Sequence, residues 1–264
     1  MTPGIHYGIS EKAYHALSWE RGYLSKSVLW PFAQNQFKWK NAPEKKETDA
    51  MRWGSLVDCL LLTPTAFERD FAVSTFKDFK TKAAQEWRDA ETRTVIKQEE
   101  KDEALKAVEV LRSRKDIAEI LEGAKTQVSL VREFGNLKQK ARLDILPSGD
   151  YSDCIVDLKT TGNLEKVAYT VRDFGYHMQA AWYLDLWNKL SGENRDRFLF
   201  IFQESSPPYD CGIWEISKDY IEAGKDAYMQ ALGYWMEWRK TGVIKSPYEH
   251  GIITLEKPNY LADL

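Results

Sequence analysis

No run of apolar residues in this 264-residue chain approaches the roughly 20 needed to cross a bilayer. Its opening stretch, MTPGIHYGIS, lacks the charged segment and apolar core of a secretion signal. A cytoplasmic protein without a membrane partner is the expectation. Cysteine is scarce: Cys59, Cys154 and Cys211 are far apart and form no CxxC pair, so core thiols are expected rather than a disulfide or a cysteine-ligated metal cluster. Basic charge is not in excess either, with a formal net charge of -3. The chain therefore lacks the overall basic footprint usual for a duplex binder, although an acidic centre beside a basic groove would cancel in such a sum. GxxxxGK[ST], GxSxG and HExxH are all missing, and His6, His15, His177 and His250 make no recognisable set.

The chain does have 43% hydrophobic and 13% aromatic residues, enough to bury a substantial core in one compact domain, 1–264, with a helical N-terminal addition. Residues 1–125 read as mainly helical. LSKSVLWPFAQNQFKWK and TDAMRWGSLVDCLLLTP are aromatic or aliphatic runs, the second N-capped by Thr48 and stopped near Pro64. EEKDEALKAVEVLRSRKDIAEILEG is an amphipathic helix with Ala104, Val108 and Leu111 on one side and Gly123 at its end. Residues 126–217 carry the sheet: TQVSLVREF, LKQKARLDIL and CIVDLKTT, a helix from about Phe174 to Leu190, then RFLFIFQES and CGIWEIS. Residues 218–264 form a last helix, begun by Ser217, and an irregular tail. The order predicts an α/β fold with a central mixed β-sheet flanked by helices. Tyr234, Trp235, Trp238 and Tyr260 in this last part would serve either as core or as a cover between subunits.

The most informative stretch is KARLDILPSGDYSDCIVDLKTT, residues 140–161. Pro147, Ser148, Gly149 and Asp150 reverse the chain between two strand-like runs. A hairpin centred near Asp150 and Tyr151 sets position 144 opposite 157. Period-2 alternation then places Asp144, Asp157 and Lys159 on one face and Leu143, Ile145, Val156 and Leu158 on the other. Facing carboxylates destabilise a bare ladder by up to about 1 kcal/mol, so something should compensate them. A hard divalent cation such as magnesium would, and a lysine alongside would orient or deprotonate one of its waters. A solvent-facing hairpin with ordinary surface ion pairs is the competing reading.

Two further features bear on that choice. In GYHMQAAWYLDLW, Gln179 and Tyr183 lie one helical turn apart and share a face. In WGSLVDCLLL, Asp58 is the sole acid of a mostly apolar helix, with Gly54 and Ser55 leaving room for close approach. Such a carboxylate needs a metal or a cationic partner.

Together these residues resemble the PD-(D/E)xK, or restriction-endonuclease-like, nuclease superfamily, and more closely its RecE, or exonuclease VIII, type of phage and prophage recombination exonuclease. The resemblance runs through LSKSVLWPF, WGSLVDCLLLTP, QKARLDIL, IVDLKTT and QAAWY, residues 24–183. It implies that Asp144, Asp157 and the Leu158 carbonyl hold Mg2+ or Mn2+, that Lys159 positions or activates the attacking water, and that Gln179 and Tyr183 hold the scissile phosphate or the water. Asp58 stands where close relatives often have histidine, and would be a further ligand. The implied activity is 5' to 3' degradation of linear double-stranded DNA from its ends, leaving 3' single strands for a RecT-like annealing protein. A ring-shaped homo-oligomer in a bacterial cytoplasm, of phage or prophage origin, completes the expectation.

Lys138, Lys140 and Arg142 lead into the Asp144 strand and are placed either to meet phosphates or to pair with Glu133 or Asp153. FKDFKTKAAQEWR also alternates cations with aromatics, a pattern that a half-exposed helix or loop explains more simply. Two alternatives remain. One is another PD-(D/E)xK repair endonuclease, although a Cas4-like protein would need four cysteines for its iron–sulfur cluster. The other is a catalytically silent DNA-binding module on the same fold.

Overall fold

A computed structural model of the chain describes residues 1–43, 46–248, 251–252 and 254–255. Two residues singled out above, His250 and Tyr260, lie outside the described residues. The strands are β1 (Gly4–His6), β2 (Tyr23–Leu24), β3 (Phe71–Ser74), β4 (Thr94–Lys97), β5 (Lys125–Phe134), β6 (Leu137–Leu146), β7 (Cys154–Thr161), β8 (Arg197–Glu204) and β9 (Cys211–Glu215). A 7-stranded sheet has the order β1-β5-β6-β7-β8-β9, with β2 also on β6, while β3 and β4 form a separate parallel pair. The β2–β6 and β7–β8 pairs are parallel and the rest of the large sheet is antiparallel, so the expected mixed sheet flanked by helices is present.

Local chemistry sets the boundaries of the flanking helices. The Thr48 side chain accepts from the Met51 N–H at 3.2 Å and opens Asp49–Leu62. Ser217 does the same for Tyr220 at 3.3 Å and opens Lys218–Thr241. The charged amphipathic stretch is interrupted at Arg114, whose ψ of 122° divides it into Gln98–Ser113 and Lys115–Leu121. Ala104, Val108 and Leu111 are buried as the periodicity requires.

A core lies on each face of the sheet. Phe198, Phe200 and Phe202 point into one, against Trp182 of the Tyr176–Ser191 helix and Trp235 of the last helix. Leu199 and Ile201 point into the other, against Leu56, Leu60 and Val108. Trp235 is only 1% exposed and its ring lies 5.0 Å from that of Phe32. Tyr234 and Trp238 are partly buried and pack against the same cluster, so of the aromatics singled out in this helix Trp235 is core and the other two lie at its edge. All three cysteines are buried and unpaired.

The sheet forks at β6. Its Lys138–Gln139 end pairs with β2, whereas its far end meets β7 at Ile145↔Val156. That register sets 144 opposite 157, as the turn chemistry predicts. The expected facing of the aliphatics fails at one position. Ile145, Val156 and Leu158 share the core against the Asp49–Leu62 helix, but Leu143 joins the opposite core. The change coincides with a break in the β5–β6 ladder, which pairs Thr126↔Ile145 and Val128↔Leu143 but not 127 with 144, and Gln127 there has a φ of 53°. The left-handed, non-glycine Gln127 thus sits opposite the point in β6 where the alternation changes.

The Tyr176–Ser191 and Lys218–Thr241 helices are in close contact at Gly224, where an added Cβ would lie 2.1 Å from the His177 carbonyl oxygen. Gly224→Ala should therefore cost about 1–3 kcal/mol in urea unfolding. Gly233, in the same helix, has nothing within 4 Å of its Cβ position. Gly233→Ala should stabilise by about 0.5–1 kcal/mol, through helix propensity alone. Equal effects at both positions would contradict this packing.

Candidate active site

The fork opens into a cleft of about 670 Å³ lined by Asp58, Asp144, Asp157, Lys159, Gln179 and Tyr183, with Leu158 at its wall. Asp144 comes from β6, Asp157, Leu158 and Lys159 from β7, and Gln179 and Tyr183 from the Tyr176–Ser191 helix. Asp58 arrives on the Asp49–Leu62 helix. That helix closes on the end of β7 because Gly54 has no side chain: a Cβ there would sit 3.2 Å from Thr160 Oγ1.

Each carboxylate has a donor. Asp157 is 1% exposed; its Oδ1 accepts from Gln179 Nε2 at 2.5 Å and its Oδ2 is ion-paired with Lys159. Asp144 Oδ2 accepts from the Leu158 N–H at 3.0 Å. Asp58 Oδ2 accepts from Gln127 Nε2 at 2.7 Å, and Gln127 Oε1 in turn accepts from Arg142 Nε. Arg142 Nη1 is buried without a partner at the cleft wall.

These donors do not cancel the cost of crowding acids together. Burial first, and then Glu11 and Asp157, push Asp58 up to about 7 against the opposing charges of Arg142 and Lys159. Burial followed by Asp157 and Asp58 raises Asp144 well above the usual carboxylate range. Burial acts against the charge of Lys159, but Asp157, Tyr176 and Asp144 outweigh it and hold the ammonium above its ordinary value. A second lysine, Lys26, is lowered to about 7 by burial and by Lys159, with Asp157 opposing.

Among the described residues no three His, Cys, Asp or Glu side chains form a ready-made metal cage. Magnesium does not require one, since it keeps several waters and takes one or two carboxylates together with substrate oxygens. Asp144 and Asp157, two crowded acids with hard oxygen donors at one fork, suit that chemistry. Asp58 stands behind them, engaged by Gln127.

The expectation that Lys138, Lys140 and Arg142 all meet phosphates changes. Lys140 is buried, donates to the Tyr14 carbonyl at 3.1 Å and sits over the Tyr14 ring, so it does not face the cleft. Lys138 lies over the Tyr23 ring. Only Arg142 of the three lines the cleft. The FKDFKTKAAQEWR segment supplies none of the lining residues and folds on itself, with Phe76 against Trp87 and Arg88 over Phe79. Gln127, Lys26 and Tyr176 belong to the site although the sequence reading passes over them. The signal for Gln127 was its place as a polar residue ahead of an aliphatic strand.

Residues 25–247 match the family described as "PDDEXK-like domain of unknown function (DUF3799)", and the chain belongs to it. A solved structure from Eubacterium rectale, named "Putative exonuclease", aligns with a TM-score of 0.66 at 16% identity, covering 98% of this chain and 98% of that one. At that identity the likeness shows the fold. Another solved structure, SSO0001, aligns at 17% identity over 77% of this chain and 84% of that one with a TM-score of 0.30, too low to bear on the fold. No curated protein matches the chain in sequence.

The raised Asp58 carboxyl has a stability consequence of definite sign. A folded-state value above the ordinary aspartate value, about 4, means that the native chain holds a proton the unfolded chain has lost. The stability contribution is thus complete below about pH 4 and declines as the pH rises towards the folded value of about 7. Asp58→Asn removes that penalty. In urea unfolding with chelator present, the variant should gain on the order of 1–3 kcal/mol relative to wild type between pH 5 and pH 8. A difference that does not change with pH would contradict the electrostatic assignment.

Proposed function

Taking membership of the PDDEXK-like family as the premise, we propose that this chain is a divalent-metal-dependent nuclease, and more narrowly an exonuclease that degrades linear double-stranded DNA 5' to 3' from its ends. The observation that carries the reading is the convergence of Asp144, Asp157, Lys159 and Gln179 at the β6–β7 fork inside one cleft. A surface hairpin does not place a 1% exposed aspartate between a lysine and a glutamine. Nor does a binding module for polyanions gain from acids directed into its groove.

Mg2+ or Mn2+ held by Asp144, Asp157 and the Leu158 carbonyl would supply charge stabilisation and an acidified water. The chain's own residues do the rest. Asp157 fixes Lys159 and Gln179 by contacts to its two oxygens, so neither side chain has to be ordered at the moment of reaction. The Lys159 ammonium is kept protonated by its acidic neighbours and orients the attacking water as a donor. Gln179 and Tyr183 line the same wall and hold the phosphate or the water, and the free Nη1 of Arg142 offers a further donor for phosphate oxygen.

The 5' to 3' direction is supported by the resemblance to RecE-type exonucleases alone, and end dependence by that resemblance together with the word exonuclease in the name of the Eubacterium rectale structure. The same resemblance supports DNA ends as substrate, a RecT-like annealing protein as recipient of the 3' strands, a closed ring of identical subunits and a bacterial cytoplasmic setting. No helix among the described residues is long and apolar enough to cross a membrane.

Purified protein should degrade linear duplex DNA with Mg2+ or Mn2+, release label from 5' ends first, spare covalently closed circles and stop in EDTA. Lys159→Ala should lower turnover by about 10²–10⁴-fold while DNA binding survives. Equal cutting of closed circles would reject the exonuclease. Absence of cutting with either metal would reject the nuclease, and a near wild-type rate in Lys159→Ala would remove the lysine from the chemistry.

A further inference from the structure

Phe174 is a large apolar side chain left 59% exposed beside the cleft. Its ring stacks on that of Tyr176, with centroids 5.8 Å apart and planes at 21°. Tyr176 lines the cleft and stacks in turn on buried Phe200 at 5.3 Å and 29°. A continuous aromatic column thus runs from the core, through the cleft wall, and ends on an open ring in solvent.

Two cations lie over the middle ring of that column. Lys26 Nζ is 4.9 Å and Lys159 Nζ 5.1 Å from the Tyr176 centroid. Lys159 is ion-paired with Asp157 and Lys26 donates to the Phe174 carbonyl, and the two side chains together offer N–H donors at the cleft wall to a backbone phosphate that enters there. The exposed ring lies one position further out, where the base attached to that phosphate's sugar would fall.

The exposed ring is also held in place. Trp30 Nε1 donates to the Asp173 carbonyl at 3.1 Å, and Lys26 Nζ donates to the Phe174 carbonyl. Gly175 follows with a φ of +62°, and a Cβ there would lie 2.4 Å from the Trp30 ring. The backbone of the corner carrying Phe174 is thus tied by two side chains to the Lys26–Gln34 helix. An aromatic fixed in advance loses little freedom when a flat ligand settles on it.

We propose that Phe174 is a stacking platform for an unpaired nucleobase of the strand that enters the cleft, making it a residue that positions the strand end. The proposal rests on the nuclease reading and goes beyond it by assigning the contact that separates the terminal base from its complement. Stacking suits an enzyme without sequence preference, because every base has a π face.

The test compares linear duplexes whose terminal nucleotides on both strands either carry bases or are abasic, with Mg2+, in the full-length protein. Wild type should cut base-bearing ends with the higher kcat/KM. Phe174→Leu keeps an apolar cover on Tyr176 but has no π face, and should lose about ten-fold on base-bearing ends with abasic ends unchanged. Phe174→Trp should keep the preference. An equal loss on both substrates, or no loss on either, overturns the platform while leaving the nuclease standing. A wild type that cuts neither substrate overturns the nuclease reading, and the platform with it.

Discussion

Three carboxylates gathered at one fork in the sheet are the constraint around which the rest of this molecule is arranged. Asp58, Asp144 and Asp157 come from three different elements, and burial and mutual repulsion raise Asp58 and Asp144 above the normal range. An uncompensated buried charge costs several kcal/mol. The neighbouring structure supplies compensation from all sides: Lys159 and Gln179 to Asp157, the Leu158 N–H to Asp144, and Gln127 to Asp58. Bringing those donors to one point requires Gln127 to adopt a left-handed backbone and Gly54 to let a helix lie against the end of β7.

The same arrangement explains why β6 is only partly paired along one edge. β2 takes one end and β7 the other, so the strand carrying Asp144 is held firmly while its acid stays open to the cleft. Two cores, one on each sheet face, brace the fork against opening, and the aromatic cluster of Phe32, Trp235 and Trp238 ties the first helices to the last. Charges that repel one another are tolerated here because apolar burial elsewhere exceeds their cost.

Much of this could be read from the chain because the signals were local. Thr48 and Ser217 mark helix starts by capping, and the Pro147–Asp150 turn fixes the register that sets 144 opposite 157. What escaped was set by distant partners. Gln127 has a left-handed backbone and its amide meets Asp58 and Arg142 on two sides, and no periodicity announces either. Leu143 and Ile145 face opposite cores across the break in the β5–β6 ladder. Lys140 looked like a phosphate contact, yet Tyr14, 126 residues away, covers it. The short strands β1 and β2 carry too few residues for an alternation pattern and exist because β5 and β6 offer edges to pair with. The last-helix aromatics were ambiguous in sequence because burial against Phe32 depends on how the helices meet.

The central claim is that this frustrated acid cluster is built for a divalent cation. Calorimetric titration of Mn2+ at pH 7 in buffers of differing ionisation enthalpy measures it directly, since it counts protons exchanged on binding. Carboxyls that are partly protonated when metal-free must lose those protons to a cation. The account predicts saturable binding with net proton release, lost in Asp144→Asn with Asp157→Asn. Binding without proton release, or unchanged binding in that double variant, would contradict it.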